Sequence, residues 1–227
     1  MTSVRPGHTV ITPAESESAI YIDYEASAGR SPTLLGVSVA GEIRVWVVEP
    51  GFHPCCGRAG TCRTAPADHT RCTVELVDRA EAENRLIVSW SAHDLRLMEP
   101  ALAGDPTRTA ILHSRFRDAR FSGRRWMARQ SERRQALVRE QGHKLDVYRE
   151  LFGIHQPERF GSGVAGDAMR LLRRQLAEGR RFGELTAKAR ESWHVLVRHN
   201  EFDLTTLELV CRRVSGEFER IGRLKTA

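Results

Sequence analysis

The first fifty residues hold the strongest constraint on the fold: three β-rich segments in close succession. Ala19-Ile20-Tyr21-Ile22-Asp23-Tyr24, Thr33-Leu34-Leu35-Gly36-Val37-Ser38-Val39 and Glu42-Ile43-Arg44-Val45-Trp46-Val47-Val48 are dense in β-branched and aromatic residues, with Ala40-Gly41 as a two-residue turn between the last two. Such runs, bounded by short turn signals, predict three successive antiparallel strands. Residues 50–72 break the pattern with Pro50, Gly51, Pro54, Gly57, Gly60 and Pro66, and read as an inserted loop.

Thr73 to Asn84 carries apolar residues at helical spacing. Leu86-Ile87-Val88-Ser89-Trp90 reads as a short buried strand, Asp94 opens a helix, and Ala110-Ile111-Leu112-His113 reads as a fifth strand. From Arg115 onward the apolar positions fall three or four apart over 124–152, 164–179 and 200–220, with Gly161-Ser162-Gly163 as a loop. This order predicts an α/β class, with a mixed sheet under packed helices. Residues 1–18, with Pro6, Gly7, Pro13 and several Ser, read as a flexible lead-in, and 19–220 as a single domain.

With 227 residues, 41% hydrophobic, the chain can bury a core without disulfides. No apolar run approaches the roughly 20 residues of a membrane helix, and Met1–Glu17 has no apolar export core. The expectation is a reducing cytoplasm, in which the five cysteines are thiols or metal ligands. Charge is divided along the chain. Residues 1–110 hold ten Arg and fourteen acids, net −4; the rest holds 25 basic and 15 acidic residues, net +10. A basic half points to a polyanionic partner, of which nucleic acid is the commonest. Arginines crowd 115–139, among them Arg124, Arg125 and Arg129, with Phe121 and Trp126 interleaved. Arginines grip phosphates and aromatics stack bases of a single strand; the structural alternative is a solvated helix face with Trp126 in the core.

Asp23 and Glu25 lie two apart at a strand end, so both carboxylates project to one side. Like charges so close repel unless a cation shares them, and Mg²⁺ takes oxygen ligands of this kind. Asp94 follows the Leu86–Trp90 strand, where an N-cap is the structural alternative. His199 and Asp203, four apart, share a helix face. Residues 53–72 gather Cys55, Cys56, Cys62, His69 and Cys72, a donor set suited to tetrahedral zinc on a Gly-rich loop, though without a Cys-x-x-Cys pair. The alternative is a loop with incidental thiols.

In order and context, three of these motifs resemble a known family. Ile20-Tyr-Ile-Asp-Tyr-Glu leading into Ser31-Pro-Thr-Leu-Leu-Gly-Val, then Leu86-Ile-Val-Ser-Trp-Ser-Ala-His-Asp94, then Trp193-His-Val-Leu-Val-Arg-His199-Asn-Glu-Phe-Asp203 resemble the three exonuclease motifs of the DEDD superfamily of 3′–5′ exonucleases. The third is closest to a bacterial branch that carries Tyr-Asn-x-x-Asp, with His199 standing where that branch has tyrosine. Trp90 and His93 stand where Asn and Phe are common in the second. The resemblance spans about residues 19–215. It implies a ribonuclease-H-like five-stranded sheet, three strands antiparallel and then two parallel. It further implies hydrolysis of single-stranded or frayed nucleic acid with two Mg²⁺ or Mn²⁺ ions, held by Asp23, Glu25, Asp94 and Asp203, and His199 orienting or deprotonating the water. Against an exonuclease stand a nucleic-acid-binding or regulatory module without turnover, and an endonuclease on the same scaffold.

Overall fold

A computed structural model describes residues 9–27, 31–57, 64–160 and 163–226. Six strands form one mixed sheet: β1 (Ile20–Ala26), β2 (Pro32–Val39), β3 (Glu42–Val47), β4 (Thr64–Pro66), β5 (Ile87–Ser89) and β6 (Phe116–Asp118), in the spatial order β4-β3-β2-β1-β5-β6. β1, β2 and β3 pair antiparallel, and β5 and β6 run parallel to β1. The β2–β3 turn holds Ala40 at φ +53° and Gly41 at φ +81°, the two positive values that a tight hairpin with the right twist requires.

The sheet has one strand more than the expected five. Thr64–Pro66 lies inside the segment expected to be loop and pairs parallel to the outer side of β3. A three-residue strand ending in proline suits an edge, where no ladder partner asks for the missing N–H. The last strand also falls later than expected. Ala110–His113 belongs to a helix spanning Pro106–Arg115, and β6 follows it at once. Asp105 accepts a hydrogen bond from the Arg108 N–H and Pro106 takes the first helical position, so a strong helix start carries through the apolar run.

Just before β1, the described part of the lead-in already has structure. Pro13–Ser18 is a helix, α1, with Thr12 and Glu15 capping each other reciprocally. Ile11 is buried, and Ser16 Oγ lies 3.0 Å from Ser215 Oγ. α2 (His69–Ala82), α3 (Ala92–Met98) and α4 (Pro106–Arg115) cover one sheet face, burying Ile20, Ile22, Leu35, Ile87 and Phe116 against Leu76, Val77, Met98 and Leu112.

The stretch 124–152, expected as one helical run, is divided into α5 (Ala119–Met127), α6 (Glu132–Gln141) and α7 (Leu145–Leu151). Gly142, at φ +82°, ends α6 in a backbone conformation that a side chain disfavours. α8 (Val164–Ala177) and the 40-residue α9 (Ala187–Thr226) close the other face, with Leu172, Trp193 and Leu196 on Leu34, Val45 and Val47. Further along α9, Leu204 and Leu207 meet Tyr21 and Val88. Side-chain alternation in β1 thus sends Ile20, Ile22 and Tyr24 to the α2 face and Tyr21, Asp23 and Glu25 to the α9 face.

Because β1, β5 and β6 are parallel, their C-terminal ends meet at one edge of the molecule. Asp23 and Glu25, Ser89 and Asp118 stand at those ends, and α3 and α9 add their own polar residues there. No helix among the described residues is long and apolar enough to cross a membrane.

Candidate functional site

α9 contributes His199, Asn200 and Asp203, and the pairing of the first and last follows from helical geometry: residues four apart share a face. His199 Nδ1 lies 3.3 Å from Asp203 Oδ2 and 3.7 Å from Glu25 Oε1. Among the described residues, one group of three or more His, Cys, Asp or Glu side chains offers ligand atoms within 4.8 Å of one another, and it is Glu25, His199 and Asp203. Asp23 and Asp94 stand beside this trio, near enough for their charges to act on it.

Asp94 is the third residue of α3 rather than its cap. Ser91 caps the helix by accepting the His93 N–H, so Asp94 is left free for the site. Its carboxylate is buried, as is that of Glu25, while Asp23 and Asp203 keep part of their surface exposed.

The electrostatics are those of crowded negative charge. Burial, then Glu25, Asp203 and Asp94, push the Asp23 carboxyl well above the usual carboxylate range. Burial raises Glu25 to about 7; His199 opposes this, and Asp203 and Asp94 add to it. Asp94 is likewise raised to about 7, by burial first and by the charge of Asp118, although the polar groups of Ser89 and the Tyr24 backbone pull the other way. Burial alone would lower His199, but Asp203 and Glu25 outweigh it and lift the imidazole to about 9. The imidazole is flanked by Phe160, with ring centroids 6.0 Å apart.

Two polar residues of this edge stand outside the expected site residues. Asn200 is fully buried and donates from Nδ2 to Asp23 Oδ2 at 2.7 Å and to the Asp23 carbonyl at 3.1 Å. Asp118, also buried, ends β6, accepts the Arg120 N–H at 2.9 Å and acts on Asp94. Asn200 belongs to the third motif by position, yet only the fold shows what it meets. Asp118 closes a strand that the apolar run at 110–113 places too early.

Among the described residues the expected zinc donors do not form a group. Cys62 lies outside the described residues. Cys55 is buried on the α9 face with Phe52 and Trp193, and Cys56 packs at its margin. Cys72 is buried on the opposite face with Tyr24 and Leu76. His69 Nε2 pairs with the Tyr24 hydroxyl at 3.1 Å. The sheet separates these thiols, and burial pushes Cys55 and Cys72 up to about 12 and Cys56 to about 11, away from the thiolate that zinc needs.

In the arginine-rich segment, Trp126 is fully buried against Tyr148 and Phe152 and donates its indole N–H to Glu217 at 2.6 Å. It is a core residue and offers no face to a base. Several arginines are engaged within the fold: Arg115 with Glu81, and Arg120 with Asp118. Arg124, Arg125 and Arg129 are exposed, and Arg129 lies 4.7 Å from the Phe218 ring centroid. Compared with models of known protein families, with curated proteins and with solved structures, the chain matches none.

Proposed function

We propose that the chain is a divalent-cation-dependent 3′–5′ exonuclease on a ribonuclease-H-like scaffold, acting on single-stranded or frayed nucleic acid. One observation carries this reading: Asp23, Glu25, Asp94 and Asp203, from three distant parts of the sequence, converge with His199 at the C-terminal ends of parallel strands. Burial first, and then mutual repulsion, raise the Asp23, Glu25 and Asp94 carboxyls, so ionising them together is costly. Structural ion pairs lower such values, and a cation shared by these carboxylates would offset both burial and repulsion. Four carboxylates make an oxygen donor set that suits Mg²⁺ or Mn²⁺. Three antiparallel strands, and two more parallel to the first, are compatible with this reading within a sheet of six.

In this reading Asp23, Glu25, Asp94 and Asp203 would hold the cations, which would supply the charge that activates water and stabilises the leaving oxygen of a phosphodiester. His199 orients the attacking water and accepts its proton. The Asp203 and Glu25 carboxylates favour its charged form, and engaging them with a cation would favour the neutral ring that can act as a base. Exposed Arg124, Arg125 and Arg129 supply phosphate contacts beyond the site. The 3′-to-5′ polarity follows from the resemblance.

The test is cleavage of an end-labelled oligonucleotide, as DNA and as RNA, with Mn²⁺. Laddering from the 3′ end that vanishes in a folded Asp23→Asn variant is the expected result. Retention without cleavage assigns a binding module instead, and internal cuts assign an endonuclease.

A further inference from the structure

We propose that Asn200 is a positioning residue for Asp23, holding its carboxylate toward the cation site through a neutral donor. The inference rests on the cation-binding reading above and concerns a residue outside the carboxylate and histidine set.

One amide makes two bonds to one residue. Asn200 Nδ2 reaches the Asp23 side chain at 2.7 Å and the Asp23 main-chain carbonyl at 3.1 Å. A donor shared between a backbone oxygen and a side-chain oxygen fixes the side chain relative to the strand. The strand needs this help, because the parallel ladder from β1 to β5 pairs only Ile20 with Ile87 and Tyr21 with Val88. Past that point β1 has a ladder partner only in β2, and the carboxylate would otherwise be free to turn away from its acidic neighbours.

The approach is built into the sheet. Gly36 is the β2 residue in register with Asp23. A Cβ there would lie 2.0 Å from Asn200 Oδ1 and 2.7 Å from Leu204 Cδ1. The φ of Gly36 is not positive, so its role is space rather than backbone freedom. The amide lies over the glycine, where any side chain would displace it.

The choice of asparagine has a chemical reason. Lysine or arginine would hold Asp23 equally well but would neutralise it and compete with a cation. Aspartate would add a repelling charge. An amide donates without carrying charge. Asn200 is fully buried and its Oδ1 has no hydrogen-bond partner among the described residues, a cost that a residue kept only for packing would not bring.

The experiment is isothermal titration of the metal-free protein with Mn²⁺, with thermal unfolding measured alongside in EDTA. Asn200→Leu keeps the branched shape at a larger volume and removes the donor; Asn200→Ala removes both shape and donor, and each guards against a folding failure of the other. The expected result is Mn²⁺ affinity lowered roughly 10–100-fold, the usual range for removing a partner that orients a metal ligand, in variants that still unfold cooperatively. Gly36→Ala should produce a comparable loss in the wild type and a smaller one on the Asn200→Ala background, because the two residues act at one point of approach. Wild-type affinity in the Asn200 variants overturns the positioning role while leaving the cation reading in place. A wild-type protein that takes up no Mn²⁺ overturns both.

Discussion

Arg173 of α8 grips Glu49 with two parallel hydrogen bonds, Nε to Oε1 at 2.9 Å and Nη2 to Oε2 at 2.7 Å. The same guanidinium donates to Ser27 Oγ and to Thr33 Oγ1, each at 2.7 Å, and Thr33 Oγ1 donates in turn to Glu49 Oε2 at 2.6 Å. Ser27 follows β1, Thr33 lies in β2 and Glu49 follows β3, so one side chain ties the helical layer to three strands near the end that carries Asp23 and Glu25. The pair is mostly shielded, with side chains 15% and 24% exposed. Breaking a buried pair by removing one partner is far costlier than losing a surface one. Arg173→Met should therefore lower stability by about 2–3 kcal/mol, below the fully buried range because some water reaches the pair. Urea unfolding checks this, and a loss under about 0.5 kcal/mol would reduce the clamp to a surface ion pair.

The acidic cluster gives the metal-free protein an unusual pH dependence. Glu25 and Asp94 have folded-state values near 7, above the 4.5 and 3.8 of the free groups. Between those values the folded state binds more protons than the unfolded one, so stability falls as pH rises from about 4 to about 7. His199, raised from 6.5 to about 9, adds stability that is complete below 6.5 and is lost as pH climbs through 9. In EDTA the melting temperature should thus drop steadily from about pH 5 to about pH 9. Saturating Mg²⁺ should restore more stability at about pH 8 than at about pH 6, since the cation competes with protons for the same oxygens. A melting temperature in EDTA that rises over this range would contradict the cluster's electrostatics.

Much of this architecture is legible in the sequence where a pattern repeats. β1 to β3 are visible because β-branched residues and a two-residue turn recur within a short stretch. The carboxylates are visible because Asp23-x-Glu25 and His199-x-x-x-Asp203 declare themselves by spacing on a strand and on a helix. Ala110–His113 misleads because so short an apolar run has no period long enough to separate strand from helix, and the cap at Asp105 decides it. Thr64–Pro66 is too short to carry a strand signal. Asn200 acquires its partner 177 residues away, across a glycine whose importance is the absence of a side chain. Nor can spacing alone reveal that Cys55 and Cys72 are buried on opposite sides of the sheet.

Arg124, Arg125 and Arg129 are exposed on one short helix and its C-terminal margin, so replacing them should leave the core intact. The triple change to Ala should weaken binding of a single-stranded oligonucleotide and flatten the slope of log affinity against log salt. Every phosphate that the variant no longer neutralises takes about 0.7 off the slope for a single strand. Fluorescence anisotropy at several salt concentrations measures both quantities. An unchanged slope would put the binding groove on another face of the protein.

His199 offers a test that separates chemistry from packing. Its Nδ1 stands 3.3 Å from Asp203 and 3.7 Å from Glu25, so His199→Ala removes a positive charge from between two carboxylates in the metal-free state. The stability cost should be largest below pH 6.5 and should disappear as pH passes 9, because only the protonated ring contributes. If the ring also accepts a proton from water during cleavage, the same variant at saturating Mg²⁺ or Mn²⁺ should lose roughly 10²–10⁴-fold in rate. His199→Tyr should keep more activity than His199→Ala, since a phenol still orients water, while losing the pH-dependent stability in full because tyrosine carries no positive charge. Rate and stability then move apart across the two substitutions. Equal rates for wild type and His199→Ala at saturating cation, with the stability difference intact, would leave His199 as a charge partner of Asp203 and Glu25 and would move the proton acceptor elsewhere in the site.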